Sequence, residues 1–423
     1  MTADQADDRA AALARVREVL VQAGASDEAI ARAVDDDVLD LLAVDLLIVP
    51  ARHQYTPREV SEMTMLPLDV LQRLWRALGF RVPADDERAL TDLDIQAVRL
   101  LQGLLQLGVT DLDTALQLAR VIGSSMARIA EAGLLRGAET LGASEDSVRA
   151  ADAFVSVAEE TLPSMAELLT FTWRRHMQAV ARRTVLLRTA AREEGTGPVL
   201  AVGFADMVGF TLLSQHLRDD ELATVVRRFE EISYDTVTSF GGRVVKTIGD
   251  EVMFVVDDPV AAAHIGVSLA DAYADDDLLS DVRVGLASGP VLVRDGDYFG
   301  ATVNLASRIV GIAEPGTVLV SDDLHERLAR DAAGDLAGKP LRPRMLKDVG
   351  RVQLWTCRRA TVEADDGADG ARRDLRRARR ERFGRVVRDL DDLRAAGERF
   401  LASSRRDARG HGGARRSPSD GGA

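Results

Sequence analysis

Cysteine is almost missing from this sequence: Cys357 is the only one in 423 residues. No disulfide can form within the chain, and such cysteine usage fits a reducing compartment. Aromatic residues are scarce as well, at 4%, so any core must be built mainly from Leu, Val, Ile and Ala. Long apolar runs are also lacking. The most apolar early stretch, residues 38–49, is broken by Asp40 and Asp45, whereas a membrane-spanning helix takes about 20 apolar residues. The opening M-T-A-D-Q-A-D-D is acidic and has neither the basic region nor the apolar core of a signal peptide. These absences lead us to expect a cytoplasmic protein.

What is present is a globular composition, with 46% hydrophobic and 29% charged residues. The length allows two or three domains of ordinary size. A formal charge of -14 argues against unspecific nucleic-acid binding, which consists mostly of phosphate neutralisation by Lys and Arg.

Residues 1–162 read as consecutive helices, with Leu, Ala and Val spaced three and four apart. Thr56-Pro57-Arg58-Glu59 supplies a complete capping box with Pro at the first helical position. Further helices are predicted over residues 67–78, stopped by Gly79, and 91–107, stopped by Gly108. Residues 55–80 and the helix after them faintly resemble the helix-turn-helix head of MerR-type regulators, with Arg73 and Arg76 placed to meet DNA. Against this, residues 1–170 carry about twice as many acids as bases, a balance that repels DNA, so no specific nucleic acid is expected as a partner. A connector helix is predicted over residues 163–196. It contains His176, and histidine is the side chain that titrates near physiological pH, so His176 is a candidate proton switch as well as an ordinary exposed helical residue.

The chemistry gathers farther on. Val244-Val245 and residues 252–256 flank Ile248-Gly249-Asp250-Glu251, the pattern of a β-hairpin whose tip holds a carboxylate. Upstream, an apolar run over residues 199–204 ends in Ala205-Asp206-Met207-Val208-Gly209-Phe210-Thr211, placing Asp206 where a buried strand gives way to a turn and a helix. Singly, each acid reads as a solvated turn residue. Together, Asp206 and Asp250 can meet across one sheet and hold divalent metal. Asn304 and Arg308 stand four apart on a predicted helix and share a face. The whole region alternates strands and helices in an α+β arrangement, with helices packed on a mainly antiparallel sheet.

Three ordered motifs, F-A-D-M-V-G-F-T, K-T-I-G-D-E-V-M-F and D-Y-F-G-A-T-V-N-L-A-S-R, resemble the signatures of class III nucleotidyl cyclases over residues 197–360. The resemblance implies that Asp206 and Asp250 hold two Mg2+ or Mn2+ ions, that Lys246 and Asp297 bind the base, that Asn304 positions the ribose and that Arg308 stabilises charge on the pentavalent phosphate. Adenine offers an acceptor at N1 and a donor at N6, so a Lys donor beside an Asp acceptor implies ATP as substrate and cyclic AMP as product. It further implies a homodimer with active sites at the subunit interface. The helical region resembles the regulatory domain of actinobacterial soluble adenylate cyclases, which inhibits the catalytic dimer and in some members is relieved by acid.

Two other readings of the motifs stay open. One is a cyclase of different nucleotide specificity: Ile248-Gly249-Asp250-Glu251-Val252 resembles the Gly-Gly-Asp-Glu-Phe turn of diguanylate cyclases, against which stand the missing first Gly and the presence of Lys246, Asn304 and Arg308. The other is a nucleotide-binding regulator with DNA-binding N-terminal helices. Residues 361–423 turn basic and Gly-rich. Residues 374–401 read as one more helix, whose apolar stripe suits a coiled-coil seam, a surface docked on the protein or an amphipathic anchor on anionic lipid.

Overall fold

The structure, a computed structural model, describes residues 3–49, 54–141, 146–194, 199–276, 278–331 and 334–360. The helix expected at residues 374–401 lies outside them. The chain divides into two compact units, Met1–Leu186 and Leu187–Ala423.

The first unit is all helical: α1 (Ala3–Gln22), α2 (Asp27–Asp35), α3 (Leu39–Ile48), α4 (Pro57–Thr64), α5 (Leu68–Ala77), α6 (Asp92–Gln106), α7 (Leu112–Leu141) and α8 (Ser147–Glu194). Local signals set the helix starts. Thr56 and Glu59 form the expected capping box of α4, Thr91 and Asp94 form another on α6, and the Ser26 side chain caps α2; each such cap contributes about 0.5–2 kcal/mol. Two separate cores result. One joins Val16 and Leu20 of α1 to Ile30, Leu39, Val148 and Phe154. The other gathers Val60, Leu71, Leu74, Trp75, Val98 and Leu116 from α4 to α7. Polar contacts bind α1 and the turn before α3 to the start of α8: Arg9 Nε donates to Asp146 at 2.9 Å, Arg15 Nη2 to Asp152 at 2.6 Å, and Ser147 Oγ to Asp37 at 2.6 Å.

The connector predicted from residue 163 is the distal part of α8, which begins at Ser147 and carries Pro163 in its interior. Proline removes the N–H that would bond the carbonyl four residues earlier. Glu159 and Pro163 are both exposed, so the lost bond falls on a stretch open to solvent, and the helix continues. From Glu159 to Val185 nearly every α8 side chain is exposed, Phe171, Trp173 and Met177 included.

The second unit contains β1 (Val199–Met207), α9 (Phe210–Ser214), α10 (Asp219–Ser239), β2 (Arg243–Ile248), β3 (Glu251–Val256), α11 (Pro259–Asp275), β4 (Val282–Pro290), β5 (Leu292–Arg294), β6 (Asp297–Phe299), α12 (Ala301–Ile312), β7 (Val318–Ser321), α13 (Asp322–Asp331), β8 (Leu336–Pro340), β9 (Arg344–Leu346), β10 (Gly350–Val352) and β11 (Leu354–Arg359). Seven strands form one sheet in the order β2-β3-β1-β4-β7-β11-β8. Every pairing in it is antiparallel except β4 with β7. Strands β10 and β11 are separated at Gln353, whose side-chain amide donates to the carbonyls of Leu341 and Leu354.

The central strands are buried on both faces, which is why they read as continuous apolar runs rather than alternating ones. On one face α10, α11 and α13 pack over Phe254, Val284 and Leu286. On the other, α12 packs over Val202, Phe204, Met253 and Ala287. The approach of α12 depends on Gly285: a Cβ there would stand 2.3 Å from the Val310 backbone nitrogen. The helix therefore lies directly on the β4 backbone, and its outer face, with Asn304 and Arg308, is turned away from the sheet.

Candidate active site

Strand register assembles the acidic end of the site. Asp206 on β1 stands opposite Glu251 on β3 and opposite Arg283 on β4, and Glu251 in turn stands opposite Ile248 on β2. Directly paired residues project from the same face of a sheet, here the face that α12 covers. Gly249, with φ +65°, lets the β2–β3 hairpin close, and Asp250 follows it in the turn. The Asp250 carbonyl accepts from the Met207 N–H at 3.0 Å, which ties the hairpin tip to the end of β1.

The two predicted metal ligands are thus brought together, along with two residues the motifs did not single out. An Arg283 Nη2 donates to Asp206 Oδ2, while the Arg283 Nε is buried without a hydrogen-bond partner. Burial raises the proton affinity of Asp206 above the ordinary aspartate range; Arg283 opposes the shift and Asp250 adds to it. Glu251 is pushed up to about 7, first by burial, then by repulsion from Asp206 and Asp250, with Arg283 opposing. Neither Glu251 nor Arg283 could be assigned from local sequence, because what places them is cross-strand pairing. Among the described residues no three His, Cys, Asp or Glu side chains form a ready metal cage. Two crowded, half-buried aspartates nevertheless suit a hard divalent cation, which would relieve their repulsion and take its remaining oxygen ligands from a polyphosphate and water.

The predicted base-binding pair, Lys246 and Asp297, also comes together. Lys246 Nζ donates to Asp297 Oδ2 at 2.5 Å, and Asp297 Oδ1 accepts from the Tyr298 N–H at 2.8 Å. A donor and an acceptor therefore stand side by side, half-buried. Asn304 and Arg308 share the exposed face of α12, and Arg308 Nη2 lies 3.5 Å from Asp348 Oδ2. Asp348 holds φ +63° in the β9–β10 turn. No hydrogen bond or ion pair among the described residues joins the Asp206 group to Asn304 or Arg308.

In the helical unit, α4 and α5 follow one another across residues 65–67, and Arg73 on α5 lies 3.5 Å from Asp113. His176 lies exposed on α8, outside the acidic and base-binding groups. No helix among the described residues is long and apolar enough to cross a membrane.

Comparison with known proteins matches residues 3–177 to the family described as adenylate cyclase regulatory domain, and residues 194–339 to the adenylate and guanylate cyclase catalytic domain. An adenylate cyclase of Streptomyces coelicolor is 39% identical over 290 residues, covering 68% of this chain and 75% of that protein. A pH-sensitive adenylate cyclase of Mycobacterium tuberculosis is 32% identical over 373 residues, covering 85% of this chain and 91% of that one. Among solved structures, the catalytic core of a rhodopsin-guanylyl cyclase with converted specificity, in complex with ATPalphaS, aligns with TM-score 0.36 and 22% identity over 39% of this chain and 97% of that one.

The raised proton affinity of Glu251 has a measurable consequence. Folded Glu251 holds its proton to about pH 7, whereas an unfolded glutamate releases it near ~4.3. Between those values the folded state binds more protons, so stability falls as pH rises. In EDTA, the melting temperature of the full chain should therefore fall between pH 5 and pH 7.5, and Glu251→Gln should remove part of that fall. Added Mn2+ should raise the melting temperature more at pH 7.5 than at pH 5. A variant whose melting profile follows the wild type at every pH contradicts the assignment.

Proposed function

Taking as premise that the chain belongs to the class III adenylate cyclases, we propose that it closes ATP to 3',5'-cyclic AMP, with release of pyrophosphate, in a homodimer whose sites are shared between subunits. The observation that carries the substrate reading is the Lys246–Asp297 pair, 2.5 Å apart. Lysine supplies a donor for adenine N1 and aspartate an acceptor for the N6 amine. Guanine presents the opposite pattern on the same edge. A site built to hydrogen-bond one edge rejects the mismatched base strongly, because its own polar groups are then left unpaired.

In cyclisation the ribose 3'-oxygen attacks the α-phosphate in line with the departing pyrophosphate, and the protein forms no covalent bond. Its work is alignment and charge neutralisation. Asp206 and Asp250 would hold two Mg2+ or Mn2+ ions, which when bound lower the proton affinity of the attacking hydroxyl and offset charge on the leaving group. Asn304 would fix the ribose. Arg308 would move from its long contact with Asp348 to the phosphate, where a guanidinium fork matches the developing oxyanions. Arg283, paired with Asp206 in the free protein, would be released to meet incoming phosphates once the carboxylate turns to metal.

Sharing between subunits is supported by the placement of the parts. Asp206 and Asp250 are half-buried at the end of β1, whereas Asn304 and Arg308 face outward from α12, and apolar Ile248, Leu292 and Phe299 lie exposed near the two groups. One subunit would give Asp206 and Asp250, and its partner Lys246, Asp297, Asn304 and Arg308. Asp250→Ala and Lys246→Ala homodimers should each lose activity by a hundredfold or more, on the order expected for removing a charged transition-state contact. Mixing the two variants should restore up to a quarter of wild-type activity, because one site of each heterodimer is intact and half the dimers are mixed at equal exchange. No recovery, despite subunit exchange demonstrated by tagged co-purification, contradicts shared sites.

We further propose that the helical unit restrains the catalytic dimer and that acid relieves the restraint, with His176 on α8 as a proton acceptor. Support comes from the match of residues 3–177 to a regulatory domain and from the pH-sensitive relative. Coupling of this kind amounts to about 1–3 kcal/mol, or roughly fivefold to 150-fold in activity. His176→Ala should shift the pH profile of cyclic AMP formation by the full chain; an unchanged profile removes His176 from the switch.

A further inference from the structure

The place of Asp297 depends on the β5–β6 hairpin, which has little of its own to hold it. Its strands are three residues each and, among the described residues, pair as strands only with one another. They close through Asp295 and Gly296, with φ +54° and +79°, a turn suited to the strand twist. An isolated two-stranded hairpin is marginally stable. Leu292, Val293 and Phe299 are exposed; among the described residues the hairpin is linked to the sheet by Tyr298, which packs against the core on the α12 side, and by the Lys246–Asp297 pair itself.

Arg243 meets Tyr298. Its Nη2 donates to the Tyr298 hydroxyl at 3.4 Å and lies 3.5 Å from Asp257 Oδ1. Arg243 stands opposite Val255, and Lys246 opposite Met253; both partners belong to the core on the α12 side. Arg243 and Lys246 thus project together toward the hairpin, one to Tyr298 and the other to Asp297. A register shift between Val244 and Lys246 makes this alignment possible: in a regular strand two residues three apart would point to opposite faces. Because Asp297 Oδ1 is bonded to the Tyr298 N–H, a displacement of Tyr298 carries the base-accepting carboxylate with it.

We propose that Arg243 and Tyr298 form a clasp that positions Asp297, and that they are therefore specificity-determining residues for adenine over guanine. The inference rests on the reading of Lys246 and Asp297 as the base-recognising pair. A recognition group must be held to within about 0.5 Å by its supporting residues, and a three-residue strand without sheet neighbours cannot supply that alone.

The test is steady-state kinetics of the full chain with Mn-ATP and Mn-GTP, for Tyr298→Phe, Arg243→Ala, the double variant, Arg243→Lys and, as reference, Asp297→Ala. Loss of one hydrogen bond changes affinity by about twofold to twelvefold. Tyr298→Phe and Arg243→Ala should each raise the KM for ATP in that range, with a smaller change in kcat, and should lower the ATP-to-GTP ratio of kcat/KM by a similar factor. The double variant should be no worse than the more damaged single one, because both act through one contact, and Arg243→Lys should recover part of the loss. If Asp297→Ala collapses nucleotide discrimination while Tyr298→Phe and Arg243→Ala keep the wild-type KM and ratio, the clasp is wrong and the base reading stands. A loss confined to kcat, the mark of less folded enzyme, also overturns the clasp. If Asp297→Ala itself leaves discrimination intact, the base reading falls and this inference falls with it.

Discussion

Three carboxylates, Asp206, Asp250 and Glu251, are held close together at one end of the catalytic sheet, with a single guanidinium, Arg283, paired to the first of them. Burial and repulsion from neighbouring carboxylates disfavour the ionised forms of Asp206 and Glu251, so the folded chain stores an electrostatic conflict there. A divalent cation held there would resolve that conflict. Much of the unit exists to keep it in place: β1 and β3 set the register, the Asp250 carbonyl fastens the hairpin tip to Met207, and two apolar layers on opposite sheet faces hold the strands rigid. The cost at this end is offset by those cores, in the manner of strained functional sites generally.

The proposed base-recognising pair rests on a different principle. Lys246 and Asp297 satisfy one another before any nucleotide arrives, so this part of the site is preorganised rather than frustrated. Its weak point is mechanical, since Asp297 rides on a short hairpin outside the main sheet while Lys246 belongs to that sheet. Gly285 serves the third component by letting α12 lie on β4, which fixes where Asn304 and Arg308 emerge. Metal end, base pair and α12 are thus carried by separate elements of one unit, an arrangement consistent with a site completed between two copies.

Local sequence told more about the chemistry than about its support. Asp206 and Asp250 were legible as candidates because a strand end and a Gly-containing turn are short-range patterns, and the capping box at Thr56 and the helix start at Thr91 were legible for the same reason. Glu251, Arg283 and Arg243 were not, since their partners lie across strands and pairing register is a tertiary property. The start of α8 was misplaced at Pro163 because proline usually opens or ends a helix, whereas here it sits on a solvent-exposed stretch inside one. Helix α13 and strands β8 and β9 escaped notice, being short and supported by packing rather than by periodicity. The exposed apolar residues of α8 carry no local mark of what covers them.

The most direct test of the account is a crystal structure of the full chain with Mn2+ and a non-cyclising ATP analogue, with manganese located by anomalous scattering. The account predicts manganese on Asp206 and Asp250 of one subunit, with adenine between Lys246 and Asp297 of the other. Manganese bound away from those aspartates, or one chain supplying all six side chains to a single nucleotide, would contradict it.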